Sequence, residues 1–288
     1  MHAHIPVDIL SEQQLAEGKL ERYRVIYIPG THLRRDAGKV VRDWVQAGGT
    51  VFTDAFGLAR DEANQKSPEM NEMLGLSDRS LKTWGSVEQY RASDLKPLSE
   101  IAVPAKEAEF SWDNTKLQAR VGREALNVKT AEVVATFADG KPAVIRNRFG
   151  KGEAIVAGLW TGITYSATVR RNDFNMQTDF DSVLRKLIAA PAIDRKVYRP
   201  AIADNPMVET IVLAKEGRRS VSLLNWSYHR PSGETSKGIL QTIENLRVDL
   251  SGMGPMKSVR SIIHGPLVVT NNFVIVPKMA EIDLLIID

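Results

Sequence analysis

Residues 23–54 read YRVIYIPGTHLRRDAGKVVRDWVQAGGTVFTD, and the fold follows from them. Val25, Ile26, Tyr27 and Ile28 make a short unbroken apolar run, as in a strand covered on both faces. Pro29 and Gly30 stop it. Leu33, Ala37, Val40, Val41, Trp44 and Val45 then recur at spacings of three and four, the stripe of an amphipathic helix. Arg34, Arg35, Lys39, Arg42 and Asp43 fall on the opposite face. Burying the stripe contributes on the order of 10 kcal/mol gross, at about 1.5–3 kcal/mol per large side chain. Gly48 and Gly49 end the helix, because one of them can adopt a left-handed conformation. Val51 and Phe52 open the next buried strand. Strand, helix and strand make one right-handed βαβ unit, and the sheet it belongs to is parallel there.

The chain has 288 residues, room for two ordinary domains. Hydrophobic residues at 43% and charged residues at 25% are those of a globular protein. A net charge of +3, from 38 basic and 35 acidic residues, is too balanced for a nucleic-acid partner. No apolar run is long enough to span a bilayer, so no membrane partner is expected. The absence of cysteine excludes disulfides, thiolate metal sites and a cysteine nucleophile.

The N-terminal stretch MHAHIPVDIL reads as a strand carrying Ile5, Val7, Ile9 and Leu10. A doubly wound domain usually opens with a central strand and its helix. That first βα unit is missing, and Met1 to His4 reads as the last turn of a lost helix. No signal peptide is visible at Met1, which therefore leaves the compartment open. Ser11 with Gln14 three residues later is a capping-box pattern that starts a short helix closed by Gly18. Residues 57–130 lose periodicity, apart from a short helix in SPEMNEMLGL at 67–76. An insertion of that length inside a compact domain is usually functional or an interface. Order returns with strands at 131–137, 142–149 and 153–160, joined by turns at Asp139-Gly140 and Gly150-Lys151-Gly152. A helix is expected over 175–190, with Met176, Phe180, Val183, Leu184, Leu187 and Ile188 on its stripe and Pro191 ending it. Beyond a proline-containing linker, helical periodicity gives way to short strands parted by turn residues. Those strands imply an antiparallel β-sandwich, with Trp226 packed between its sheets. Two domains are expected, 1–195 and 196–288.

In this order the pieces resemble the C-terminal accessory half of bacterial β-galactosidases, the family 42 glycoside hydrolases. The matching stretches are VDIL with LERYRVIYIPG, VRDWVQAGGTVFTDAFGLARDE, MNEMLGL, GKPAVIRNRFGKGEAIVAGLWTG, and LLNWS with the closing strands. The resemblance implies a glutamine-amidotransferase-like trimerisation domain with a flavodoxin-like, doubly wound sheet, followed by a small β-sandwich. It also implies a homo-oligomer, a trimer among the options, or pairing with a catalytic barrel domain. Two features of the larger family are absent from the sequence: the barrel with its paired carboxylates, and the cysteine elbow of true amidotransferases.

Candidate chemistry gathers at the C-terminal strand ends, where ligands bind in doubly wound sheets. His32, Asp54, Arg60 and Asp61, with Trp160 and Tyr165 after the later strand, make a candidate polar pocket with aromatic walls, suited to a carbohydrate. The plain alternative has Asp54 capping a turn, Trp160 in the core and His32 in solvent. Asp54 with Asp61 as an acid/base pair requires a separation that spacing does not supply. Gly150-Lys151-Gly152 precedes a strand rather than a helix, so it reads as a hairpin turn and not a phosphate loop. His2 and His4 alternate but lack a third ligand, so no metal and no cofactor are expected. Trp84 and Trp112 lie in the irregular insertion and read as interface anchors. The first functional reading is a non-catalytic structural and oligomerisation module. The alternative is a carbohydrate-binding or glycoside-hydrolysing protein that uses the strand-end rim. An amidotransferase-like enzyme would need the thiolate that is missing.

Overall fold

The computed structural model describes residues 2–79, 109–120, 122–167, 169, 173–231 and 238–288, a mixed α/β chain with more strand than helix. It forms two compact units. One comprises Ile9–Tyr165 and Ala190–Arg195, the other Met1–Asp8, Ser166–Ala189 and Lys196–Asp288. Trp84 lies outside the described residues. Among those that are described, no helix is long and apolar enough to cross a membrane.

The α/β unit opens with α1 (Glu12–Ala16), whose capping box joins Ser11 and Gln14 reciprocally. Then come β1 (Val25–Tyr27), α2 (Arg35–Ala47) and β2 (Thr50–Thr53). After β2 follow α3 (Pro68–Leu74), β3 (Leu76–Arg79), β4 (Glu109–Trp112), β5 (Thr115–Gln118) and β6 (Leu126–Val128). Three longer strands, β7 (Glu132–Thr136), β8 (Pro142–Phe149) and β9 (Gly152–Ala157), lead to α4 (Thr161–Ser166). The main sheet has the order β1-β2-β9-β8-β7. β1 runs parallel to β2, with Ile26 opposite Val51, and β2 runs parallel to β9. β8 and β7 are antiparallel. β3 pairs with β6, and β4 with β5, in small antiparallel ladders.

The organising unit is as its periodicity implies. Ala37, Val41 and Val45 on α2 are fully buried and share a core with Ile28, Val51, Met70, Met73 and Val156. Trp44 is half-buried against that core. Gly48 takes φ 131, and a Cβ on Gly49 would lie 2.3 Å from the Trp44 ring, so the chain can reverse here only through glycine. α3 ends at Gly75 in the left-handed conformation, as its sequence suggests.

Three expectations are corrected. Ile5–Leu10 is not a strand, and Val7 and Ile9 are 73% and 93% exposed. Among the described residues no strand pairs with this segment, and Pro6 has no N–H to give a ladder. The helix expected over 175–190 runs instead from Ser182 to Asp194 as α5, with Pro191 inside it. Side chains of Asn175 and Asp179 bond backbone N–H groups in the segment before it, which competes with helix formation, while Asp181 caps the helix by accepting the Val183 and Leu184 N–H groups. Trp226 is not packed between sheets. It is 40% exposed, and its Nε1 donates to Glu209 at 3.0 Å.

In the second unit β10 (Phe174–Asn175) precedes α5, and the remaining strands follow it. These are β11 (Ile202–Ala203), β12 (Val208–Lys215), β13 (Arg218–Asn225), β14 (Tyr228–Arg230), β15 (Ile239–Leu240) and β16 (Ile243–Asp249). The last four are β17 (Val259–Ser261), β18 (Gly265–Leu267), β19 (Phe273–Met279) and β20 (Ile282–Ile287). They form antiparallel sheets ordered β12-β13-β20-β17-β18, β11-β16-β19 and β10-β14-β15. The first two share one apolar cluster that includes Val221, Leu223, Val248, Val274 and Leu285. Glu216 and Gly217, both at positive φ, make the two-residue turn that suits the twist of the β12–β13 hairpin.

Candidate functional site

Because β1, β2 and β9 are parallel, their C-terminal ends open on one rim, and the loops leaving them meet there. Thr53 closes β2 from within by donating its hydroxyl to Ile28 O at 2.7 Å. Asp54 follows it and is 8% exposed. Its Oδ1 accepts the Thr161 hydroxyl at 2.7 Å, and its Oδ2 accepts the Thr161 N–H at 3.2 Å. Burial pushes the Asp54 carboxyl up to about 6, and the hydrogen bonds from Thr161 and Gly162 offset only part of that rise.

The loop after Asp54 is buried and conformationally demanding. Phe56 and Leu58 are non-glycine residues at φ 67 and φ 60, both fully buried. Gly57 lies between them, and a Cβ there would meet Thr53 Oγ1 at 1.8 Å. Glu124 and Arg79 hold the loop in place. The Glu124 carboxylate accepts Phe56 N–H at 2.6 Å, while an Arg79 Nη donates to Gly57 O. Arg79 and Glu124 also form a two-pronged ion pair at 2.5 and 2.6 Å, with side chains 3% and 0% exposed. Neither residue stands out in the sequence. Both lie in the stretch without periodicity, where only a buried, unexpected charge would have marked them.

The candidate residues divide among three local arrangements. Trp160 donates Nε1 to Ala55 O at 3.1 Å and meets the Phe56 ring edge-on, and its own ring covers Gly122. It therefore joins Asp54 and Thr161 in closing the rim. Tyr165 is half-buried further along α4. His32 Nε2 lies 3.1 Å from Asn64 Oδ1, and Arg60 donates to Asn64 O at 2.8 Å, with a backbone bridge between His32 and Arg60. Asp61 bonds its own turn through Ala63 and Gln65 N–H and takes Arg35 Nε at 2.6 Å. Burial would raise its carboxyl, but the Gln65 N–H and the Arg35 guanidinium hold it below the usual carboxylate range. Among the described residues no hydrogen bond joins the two carboxylates, since Asp54 faces Thr161 and Asp61 faces Arg35. Buried side-chain polar atoms without partners occur elsewhere, at Asn71 and Ser227 for example, but none belongs to these rim residues.

His2 stacks edge-on to Phe180 and His4 is buried, so the two do not alternate along a strand. Among the described residues no group of three or more His, Cys, Asp or Glu could hold a metal ion. Trp112 ends β4, half-buried.

No curated protein matches the chain by sequence. Solved structures match it at the level of the fold. A family 42 β-galactosidase from G. stearothermophilus aligns over 99% of this chain and 34% of its own, at 14% identity and a TM-score of 0.65. The β-galactosidase from Rahnella sp. R3 aligns over 99% of this chain and 35% of its own, at 16% identity and a TM-score of 0.63. That from Bacillus circulans sp. alkalophilus aligns over 95% of this chain and 34% of its own, at 18% identity and a TM-score of 0.61. The chain thus spans about a third of the length of these proteins. The family described as the β-galactosidase trimerisation domain matches residues 1–172, more than half of the chain. On that match, the chain belongs to the β-galactosidase trimerisation domain family.

Proposed function

We propose that this chain is an assembly module: it holds subunits of a β-galactosidase-like glycoside hydrolase together, and the sugar chemistry belongs to a separate catalytic barrel. Membership of the trimerisation-domain family over residues 1–172 carries the reading. The rim supports it, because Asp54, Asp61 and His32 are each hydrogen-bonded to a neighbouring side chain of the chain itself. The partner is a second and third copy of the same chain. Trp112, at the end of an exposed hairpin, contributes to that contact.

Size-exclusion chromatography with light scattering tests this. The expected mass is three times 32.0 kDa at micromolar concentration. Trp112→Ala lowers the trimeric fraction, whereas Asp54→Ala leaves the assembly size unchanged. A monomer that binds galactosides, or a hydrolytic activity abolished by Asp54→Ala, would overturn the proposal.

The finer architecture belongs to the same reading. The α/β part is a flavodoxin-like, amidotransferase-type sheet. Its parallel β1–β2–β9 core supports this. The C-terminal part is an antiparallel sandwich, supported by two sheets that share one apolar cluster. The boundary lies near residue 195. Expression of residues 196–288 alone checks it. A dispersed amide spectrum is expected, and a collapsed one would extend the domain to include residues 166–189.

A further inference from the structure

β12 is a long and regular edge strand. In the two five-stranded sheets the other edges are short or broken: β1 and β18 have three residues each, Pro266 among those of β18, and β7 carries register shifts against β8. β12 pairs with β13 over eight residues without a shift, and Val208–Lys215 contains no proline. Lys215 and Arg218 close a two-residue hairpin whose turn residues both have positive φ. In such a hairpin the closing pair exchanges both backbone bonds. Alternation then turns the N–H and C=O groups of Thr210, Val212 and Ala214 away from β13. Among the described residues no turn or loop takes these groups.

The strand is also its own complement. Against a second copy that runs the other way and is centred on Val212, VETIVLAK sets Glu209 opposite Lys215, Thr210 opposite Ala214, and Ile211 opposite Leu213. Ile211 and Leu213 are 41% and 55% exposed, on the side of the sheet away from Val221 and Leu223 in the apolar cluster. Glu209 and Lys215 share that side by alternation. Glu209 accepts the Trp226 Nε1–H, but neither it nor Lys215 has an ion-pair partner within the chain among the described residues. The charged and aliphatic pairs fall at the positions without backbone bonds, where opposed side chains lie closest. A copy of β12 thus supplies the opposite charges, the apolar neighbours and the backbone partners that this edge lacks.

We propose that β12 pairs antiparallel with β12 of a second copy about a two-fold axis at Val212, joining two five-stranded sheets edge to edge. The contact adds to the trimer proposed above and does not depend on it. A two-fold cannot close inside a three-fold ring, so it joins separate assemblies. One edge strand buries well under the roughly 1,200 Å² of a standard interface, so the pairing belongs to concentrations above the micromolar range.

Sedimentation of the full chain from micromolar to about 0.5 mM tests this, since contacts of this size are weak. The mass is expected to double over its dilute value. That holds whether the dilute value is 32.0 kDa or three times as much, so failure of the trimer and failure of this contact are told apart. Val212→Pro removes the outward N–H at the axis and should abolish the doubling. If Val212→Pro fails to fold, the exposed Lys215→Glu serves instead: it sets like charges opposite each other twice and should weaken the pairing about tenfold. Adding Glu209→Lys to it should restore the pairing, which a general loss of charge would not do. A mass that stays constant over the range overturns the proposal. So does a doubling that survives both Val212→Pro and Lys215→Glu, or a double swap that restores nothing.

Discussion

Arg79 and Glu124 show what a single residue does in this fold. Both charges are out of water, and each holds a backbone group of the Phe56–Leu58 turn as well as its partner. Removing one partner leaves the other charge buried and unpaired, at a cost of about 3–5 kcal/mol, whereas replacing both with apolar residues of similar size costs much less. Arg79→Met should therefore lower the urea midpoint more than Arg79→Met with Glu124→Leu. Equal losses would mean that the turn needs the charges themselves. Gly57 presents a steric case. Gly57→Ala must displace Thr53 Oγ1 from its bond to Ile28 O, and about 1–3 kcal/mol of destabilisation is expected. Adding Thr53→Ala should recover part of that loss in a double-mutant cycle, because the clash disappears with the hydroxyl.

At the scale of elements, α2 owes its N-terminus to a distant residue. Arg34 in the cap position makes no side-chain cap, and Glu62 instead accepts the Arg35 N–H at 2.9 Å. Glu62→Ala should cost about 1 kcal/mol in thermal or urea unfolding, the usual value of a lost N-cap. An unchanged midpoint would show that water caps the helix equally well. The body of α2 was legible from its sequence because the spacing of Leu33, Ala37, Val41 and Val45 repeats with the helix itself. The same logic misplaced α5. Met176 and Phe180 extend its apolar spacing backwards, but Asn175 and Asp179 bind the local backbone, and the Asp181 side chain caps the helix so that it starts at Ser182. Ile5–Leu10 failed for a related reason: an apolar pattern suggests a strand, but a partner ladder is what makes one. The rim was legible in its location, since strand ends follow from the βαβ unit. Its closure was not, because Arg79–Glu124 and Asp54–Thr161 are contacts between segments far apart in the chain, and no local pattern records them.

For the whole molecule, the expected trimer ties subunit concentration to stability. On the proposed assembly, in which Trp112 lies in the contact, Trp112→Ala should lower the apparent midpoint at low protein concentration and have less effect at high concentration, since only the associated form would gain from it. Within one copy, the main sheet is stitched from remote stretches: Thr50 and Glu153 face each other across β2 and β9, 103 residues apart. Their pairing must wait for a long loop to close, so the sheet assembles late and slowly. It also follows that the connection matters less once the strands have met. A protease cut at the exposed turn between Asp113 and Asn114 would leave β2 on one fragment and β9 on the other. The two fragments should then travel together through a sizing column and separate only in denaturant, like a zip whose teeth grip after the tape is slit.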